Sequence, residues 1–329
     1  MKRLNRRSFA LRTLVPLLAS ALPLVASAQD FPSRTITLVV PFPAGAGPDI
    51  TARLLAAKLA PRLGQTVVVE NKPGAGALLG ASYVAKAAPD GHTLLLTPST
   101  MAISPHVLAP GAAGGIDVNK DLVPVIAPAT TPLVLVASPQ MGVKTLKDAL
   151  DAARKTPGIA YGSAGNGSPM HFAGEMLKKS AGVDLLHVPY RGVAPSITAA
   201  LGGEVKLLFT GLGGAIQHIK AGKLVPLALT EKSRSNLMPS IPTATEQGVP
   251  NVEVNAWYGV FAPTGTPQAA IQRINQEMNE VLKMADVREK LGNAGIEVLG
   301  GPAQVLADFM KADNQRYSGL AKELNIKAD

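Results

Sequence analysis

The chain has 329 residues, 47% hydrophobic, 17% charged and 4% aromatic, enough for one large domain or two of ordinary size with a substantial core. It contains no cysteine, which excludes a disulfide framework and a thiolate metal site. Of its 32 basic residues, Lys2, Arg3, Arg6, Arg7 and Arg12 lie in the first 28 positions beside no acid, leaving 27 against 23 acidic residues. Those 27 are scattered without a basic run, so the formal charge of +9 is no footprint for nucleic acid.

The N-terminus reads as a signal peptide: basic "MKRLNRR", apolar "LVPLLASALPLVA" and the small-residue site "ASA" at 26–28, with cleavage after Ala28. The apolar run is short and broken by proline, unlike a membrane span. "RRSFAL" resembles a twin-arginine export address, beside the alternative of an ordinary charged region. No later segment has the pattern of a membrane span, so the sequence predicts a soluble exported protein.

"TITLVVPF" (35–42) predicts a buried strand, and Ala52, Leu55, Ala56, Leu59 and Leu63 form a helical stripe after it. "TVVVEN" (66–71) predicts a second strand and "GALLGASYVAKA" a helix. The strands "HTLLLT", "PLVLVAS", "IAYGSA", "DLLHVPY", "VKLLFTG" and "LVPLALT" then alternate with helical segments. This alternation argues an α/β fold with mainly parallel sheets. "VEVNAWYGVFAPTGTP" (252–267) is extended, and Ile271, Ile274, Met278, Val281 and Leu282 mark a long helix after it. The mature length exceeds a comfortable single core. "IAPATTPLV" (126–134) and the segment near 250–260 are the predicted crossings of a hinged clamshell.

Three glycine-rich loops run into helices. In "PFPAGAGPDITAR" (41–53), Pro48 suits the first helical position, Gly47 the cap, and Asp49 the first turn. The loop is either an anion site built from backbone N–H groups or an ordinary capped turn. "NKPGAGALLGA" (71–81) has Leu79 where a dinucleotide fingerprint needs its third glycine, which makes it a packing turn. "YGSAGNGSPMH" (161–171) is neither a nucleophile elbow nor a Walker loop. Ser168 is its predicted N-cap, Pro169 the first helical residue, and Gly165 and Gly167 allow close backbone approach. Successive N–H groups would converge ahead of the helix, each contributing about 1.5–3 kcal/mol to a charged partner.

The five histidines, His92, His106, His171, His187 and His218, form no H-x-x-H pair, so no metal site is expected. His171 is expected to bond locally. The enzymatic alternative is a periplasmic hydrolase using Ser163 or Ser168 with His171, which lacks a visible orienting acid. Trp257, near the second crossing, either packs in the core or senses closure.

The segments "ITLVVPFPAGAGPDITARLLAAKL", "VVVENKPGAGALLGASYVAKAAPDGHTLLL", "YGSAGNGSPMHFAGEMLKKSAGVDLLHVPYRG", "HIKAGKLVPLALT" and "WYGVFAPTGTP", in this order, resemble the Bug-type solute receptors of tripartite tricarboxylate transporters over the whole mature length. The resemblance implies a two-domain periplasmic binding protein of type II-like clamshell form, with no cofactor. Its first domain would comprise 29–130 plus 253–329, and the inserted second domain 131–252. It would act as a monomer, close on a small carboxylate (a di- or tricarboxylate, acidic amino acid or aromatic acid), and deliver it to the membrane components of a transporter. A ligand-presenting receptor for a sensor protein is a further alternative. Carried over by position, the ligand contacts are Phe42, Ala44, Gly45 and Asp49 from the first loop. Ser163, Ala164, Gly165, Asn166 and Ser168 come from the third, with Ser99 and Thr210 as further walls. Thr210 departs from the aspartate or other small residue that such receptors often carry. Asp49 either points away as a helix cap, fitting a ligand without an amine, or addresses an ammonium, hydroxyl or water.

Overall fold

In the computed structural model the described residues are 31–328 apart from 110, 112, 113 and 255. The expected signal peptide lies outside them. The chain begins with β1 (Ile36–Val40), α1 (Gly47–Leu63), β2 (Val67–Asn71), α2 (Leu78–Ala85), β3 (Thr93–Pro98), α3 (Thr100–Val107) and β4 (Leu122–Thr130). It continues through β5 (Leu133–Ala137), α4 (Leu146–Lys155), β6 (Ile159–Ser163), α5 (Pro169–Ala181), β7 (Leu185–Pro189), α6 (Val193–Gly202), β8 (Leu207–Gly211), α7 (Leu212–Lys220) and β9 (Val225–Leu229). Last come β10 (Trp257–Pro263), α8 (Gln268–Leu282), α9 (Ala285–Asn293), β11 (Glu297–Val298) and α10 (Ala303–Glu323).

Local sequence explains the helices that frame the loops. In α1 the stripe Ala52, Leu55, Ala56, Leu59 and Leu63 is buried, Pro48 sits in the first turn, and Gly64 ends the helix in the left-handed region at φ 67°. Each fully buried leucine there contributes about 1.5–3 kcal/mol. The cap falls at Ala46, one residue before the expected Gly47, with no side-chain cap bond. Helix α5 follows expectation: the Ser168 hydroxyl accepts from the His171 N–H, Pro169 leads the first turn, and Gly182 terminates at φ 63°.

The strands form two sheets, ordered β11-β4-β10-β3-β1-β2 and β7-β6-β8-β5-β9. Both are mixed, not mainly parallel. The βαβ units β1–β2, β1–β3, β6–β7 and β6–β8 are parallel, while β10, β4, β11, β5 and β9 pair antiparallel. The cause is the crossing: β5 and β10 each enter a sheet from the edge where the other strands end, so they run against the βαβ strands. Among the described residues, no helix is long and apolar enough to cross a membrane.

Helix α10 joins both sheets to one body. Its Leu306 and Met310 pack with Trp257 and Phe261 against the first sheet, and Leu320 and Leu324 pack with the core of the second. Trp257 is fully buried and its indole N–H donates to Asp313 Oδ2 at 2.8 Å. Burial pushes the Asp313 carboxyl up to about 6, against the opposing pull of the indole bond and Arg316. A carboxyl held neutral in the fold stabilises fully below its ordinary value of 3.8 and loses that advantage as pH rises through about 6. Asp313→Asn keeps an acceptor for the indole without the charge. It is therefore expected to raise stability above about pH 6 and flatten its pH dependence below, as measured by urea unfolding across that range.

Candidate ligand-binding site

The ends of β1 and β3, the start of β10 and the end of β4 share one edge of the first sheet. The ends of β6 and β8 and the start of β5 share one edge of the second. The two crossing segments tie these edges together: Thr131 N–H donates to Ala256 O at 2.7 Å, Leu212 N–H to Pro132 O at 2.7 Å, and Val254 N–H to Thr230 O at 2.9 Å. Ligands of open α/β sheets bind outside the carboxyl ends of strands at such switch points. Two further regions bring the sheets' surroundings into contact. In one, Phe172 of α5 meets Tyr317 of α10 with ring centroids 4.8 Å apart, and Gly167 lies against Val107 and Ala328. In the other, Gly213 abuts Ala294 and Gly295, and Glu297 accepts from Ser235 Oγ at 2.5 Å and Asn236 N–H at 3.0 Å.

The first loop is built around Asp49, which is buried and turned into the loop. Its carboxylate accepts from the Gly45 N–H at 2.8 Å, Arg53 Nε at 3.0 Å and Asn71 Nδ2 at 2.8 Å, and Asn71 also donates to Phe42 O at 2.9 Å. Burial alone would raise its pKa, but the bonds from Arg53, Gly45 and Asn71 and the Arg53 charge hold it below the ordinary value. Asp49 is therefore a brace for its own loop, and the Gly45 amide is engaged by it. The amides of Phe42, Ala44 and Gly47 donate to no described residue. With the α1 terminus they are free main-chain donors of the kind that bind an anion.

The third loop alternates. The Gly165 N–H donates to Ser163 Oγ at 3.1 Å and the Gly167 N–H to His171 Nδ1 at 3.2 Å, while the amides of Ala164 and Asn166 donate to no described residue. Gly165 at φ 129° and Gly167 at φ 68° take conformations that L side chains rarely adopt. Ser168 Oγ donates to Gly165 O at 2.7 Å. Ser163 and Ser168 thus shape the loop with their hydroxyls, and the convergence expected of every amide is narrowed to alternate ones.

The remaining residues are Ser99 and Thr210, expected as further walls. Ser99 and Thr210 are buried, and their hydroxyl oxygens, with that of Thr131, have no partner among the described residues. Ser99 N–H donates to Trp257 O at 2.9 Å, which places it at the shared edge. A Cβ on Gly47 would stand 2.8 Å from the Tyr258 hydroxyl, so Tyr258 borders the first loop. The sequence reading missed Thr131, Tyr258, Asn71 and His187. Asn71 ends the strand beside β1, a position from which its role was legible; the others depend on contacts between distant segments.

The hydrolase pairing is corrected by the structure. His187, not His171, meets Ser163, with Nε2 2.7 Å from Oγ, and Ser163 is fully buried with its oxygen engaged by the Gly165 amide. His171 bonds locally as expected, through Nδ1. No group of three metal-ligating side chains occurs among the described residues.

Two mixed α/β sheets joined twice at their loop-bearing edges define a periplasmic binding protein, an architecture shared with solved structures of that class. The sequence profile of the tripartite tricarboxylate transporter family receptor (TctC) matches residues 51–326, and the chain belongs to that family. BugT of Bordetella pertussis is 34% identical over 304 residues, 92% of this chain and 92% of its own. Rpa4515 of R. palustris, solved with adipate, matches with TM-score 0.82 at 33% identity, covering 91% of this chain and 100% of that one. MatC (Rpa3494) of Rhodopseudomonas palustris, solved with bound malate, matches with TM-score 0.77 at 32% identity over 88% and 99%. Family and fold are those of solute-binding receptors.

Proposed function

We propose that this protein is an exported periplasmic receptor that captures a small carboxylate by closing its two lobes and delivers it to a tripartite tricarboxylate-type membrane transporter. The observation that carries the reading is the pair of strand-to-helix loops on joined sheet edges, each offering main-chain amides without an internal acceptor. The relatives solved with adipate and malate support a carboxylate as the ligand. Phe42, Ala44, Gly47, Ala164 and Asn166 supply the amides. Ser99, Thr131 and Thr210 offer hydroxyls to the rest of the molecule. Gly45, Asp49, Ser163, Gly165 and Ser168 hold the loops in shape. The lobes are 29–130 with 253–329, and 131–252; the double crossing at Thr131 and Ala256 supports a hinge there. Export rests on the signal pattern of residues 1–28.

Thermal-shift screening of the mature protein against dicarboxylates, tricarboxylates, acidic amino acids and aromatic acids tests this. At a hundredfold excess over its dissociation constant, a ligand stabilises by about 2.7 kcal/mol. If no carboxylate shifts the melting temperature, the proposed function fails.

A further inference from the structure

Behind the third loop lies an aromatic cluster, with Tyr161 and His171 buried and His187 half-buried. The rings of His171 on α5 and His187 on β7 stack with centroids 3.8 Å apart and planes 12° from parallel. Tyr161 of β6 packs on His187 at 5.0 Å, and its hydroxyl donates to Glu175 Oε1 at 2.7 Å. Each imidazole holds one end of the loop. His187 Nε2 meets Ser163 Oγ at 2.7 Å, and that oxygen accepts the Gly165 N–H; His171 Nδ1 accepts the Gly167 N–H directly. These bonds engage the Gly165 and Gly167 amides, while those of the alternate residues Ala164 and Asn166 donate to no described residue. We propose that His187 and His171 are positioning residues of the binding loop, and that acid disarms the loop by charging them.

The hydrogen bonds fix the sense of the effect. The Gly167 N–H is a donor, so His171 Nδ1 must carry no proton, and a proton there replaces an attraction by two opposed N–H groups. Ser163 Oγ reaches two acceptors, His187 Nε2 at 2.7 Å and Gly165 O at 3.2 Å, and a charged His187 removes the first, its Nε2–H then donating to Ser163. Two imidazolium rings at stacking distance would also repel. Besides the pair itself, the titratable and charged groups brought to it are Tyr161, Glu175 and Lys178. Glu175 is already bonded to Tyr161 and paired with Lys178 at 2.9 Å. Burial, then Lys178, lowers His171 to about 4. Burial, then the charge of His171, lowers His187 to about 4, with Glu175 opposing. A depressed histidine contributes its full stabilisation above the ordinary value of 6.5 and loses it as pH falls through about 4.

This inference rests on the proposed function of the loop, and the experiment separates the two. Calorimetric titration with adipate and with malate, at about pH 7.5 and about pH 4, compares the parent with His187→Phe and His187→Gln, in which the ligand's own protonation is a common background. Phenylalanine keeps a stacking ring but no acceptor; glutamine restores a polar group that can reach Ser163. The expected result is at least a tenfold loss of affinity in His187→Phe at the higher pH, partial recovery in His187→Gln, and a fall on acidification that is steeper in the parent than in His187→Phe. Parent-like affinity in His187→Phe, or an equal fall with pH in parent and His187→Phe, overturns the inference. If the parent binds neither acid nor any other carboxylate, the proposed function fails instead. The positioning role is then decided on the free protein by amide hydrogen exchange at Gly165 and Gly167. Exchange at least tenfold faster in His187→Phe upholds it, and unchanged exchange overturns it.

Discussion

Gly213→Ala is expected to weaken ligand binding at least tenfold and to force apart the arrangement seen here, in which Gly213 lies against Ala294 and Gly295. Gly213 lies in the first turn of α7, where alanine is a better helix former by about 1 kcal/mol, and its φ is not in the left-handed region. Nothing within the second lobe therefore penalises the methyl group. The obstacle is across the seam: a Cβ at this position would lie 2.1 Å from the carbonyl oxygen of Ala294, where contacts below 3.0 Å are essentially never seen. That neighbour is backbone, so it cannot swing aside as a side chain would. The lobes must stay apart by roughly 1 Å along this seam, a misfit sufficient to spoil the alignment of donors from two loops on one anion. Tenfold corresponds to about 1.4 kcal/mol of lost closure energy. Titration calorimetry beside thermal unfolding of the free protein separates the loss of binding from a change in stability. A parent-like dissociation constant would show that the seam is not part of the bound state.

Asp49→Ala carries the second large effect, and here stability and binding fall together. The substitution removes the acceptor of three donors at once, one of them the main-chain N–H of Gly45. A hydrogen bond to a charged group contributes about 1.5–3 kcal/mol. Arg53 is half exposed and its share is discounted for solvent, so a total loss of roughly 3 kcal/mol is expected. Freed from Asp49, Asn71 no longer fixes the Phe42 carbonyl in register, and the amides of Ala44 and Gly47 lose their frame. Asp49→Asn retains one oxygen acceptor and should fall between parent and alanine variant. Because the carboxyl is held below its ordinary value of 3.8, its contribution is complete above that value and fades as pH falls further. Urea unfolding at neutral pH and near pH 3 should show the parent and Asp49→Ala converging in acid.

Much of the framework was legible because it is local. The apolar stripe of α1, the Ser168–Pro169 start of α5 and the proline-threonine segment at the first crossing each depend on residues within one or two turns of chain. The third loop's outline was equally legible from Gly165 and Gly167. What escaped was set by register. Tyr161 lies opposite His187 in the β6–β7 ladder, which brings the imidazole to Ser163 across 24 residues of sequence; nothing in "DLLHVPY" announces that partner. Asp49 offered two readings, cap or ligand contact, and the structure gives a third because the end of β2 delivers Asn71 beside β1. The mixed sheets escaped for a similar reason: strand–helix alternation predicts parallel neighbours, whereas direction after a crossing is fixed by the edge at which the chain arrives.

The two contact regions beside the site differ in kind. Where α10 meets α5 the join is an apolar core, with Phe172, Tyr317, Ile103 and Ile326 all buried. Where α7 meets the α9–β11 turn it is glycine backbone against glycine backbone. Prying apart the first exposes aromatic surface to water, at about 25 cal/mol for every Å²; parting the second breaks the bonds from Ser235 and Asn236 to Glu297. The apolar join is therefore the costlier of the two to part, and α10, about 30 Å long, runs from the core of the first sheet to that of the second.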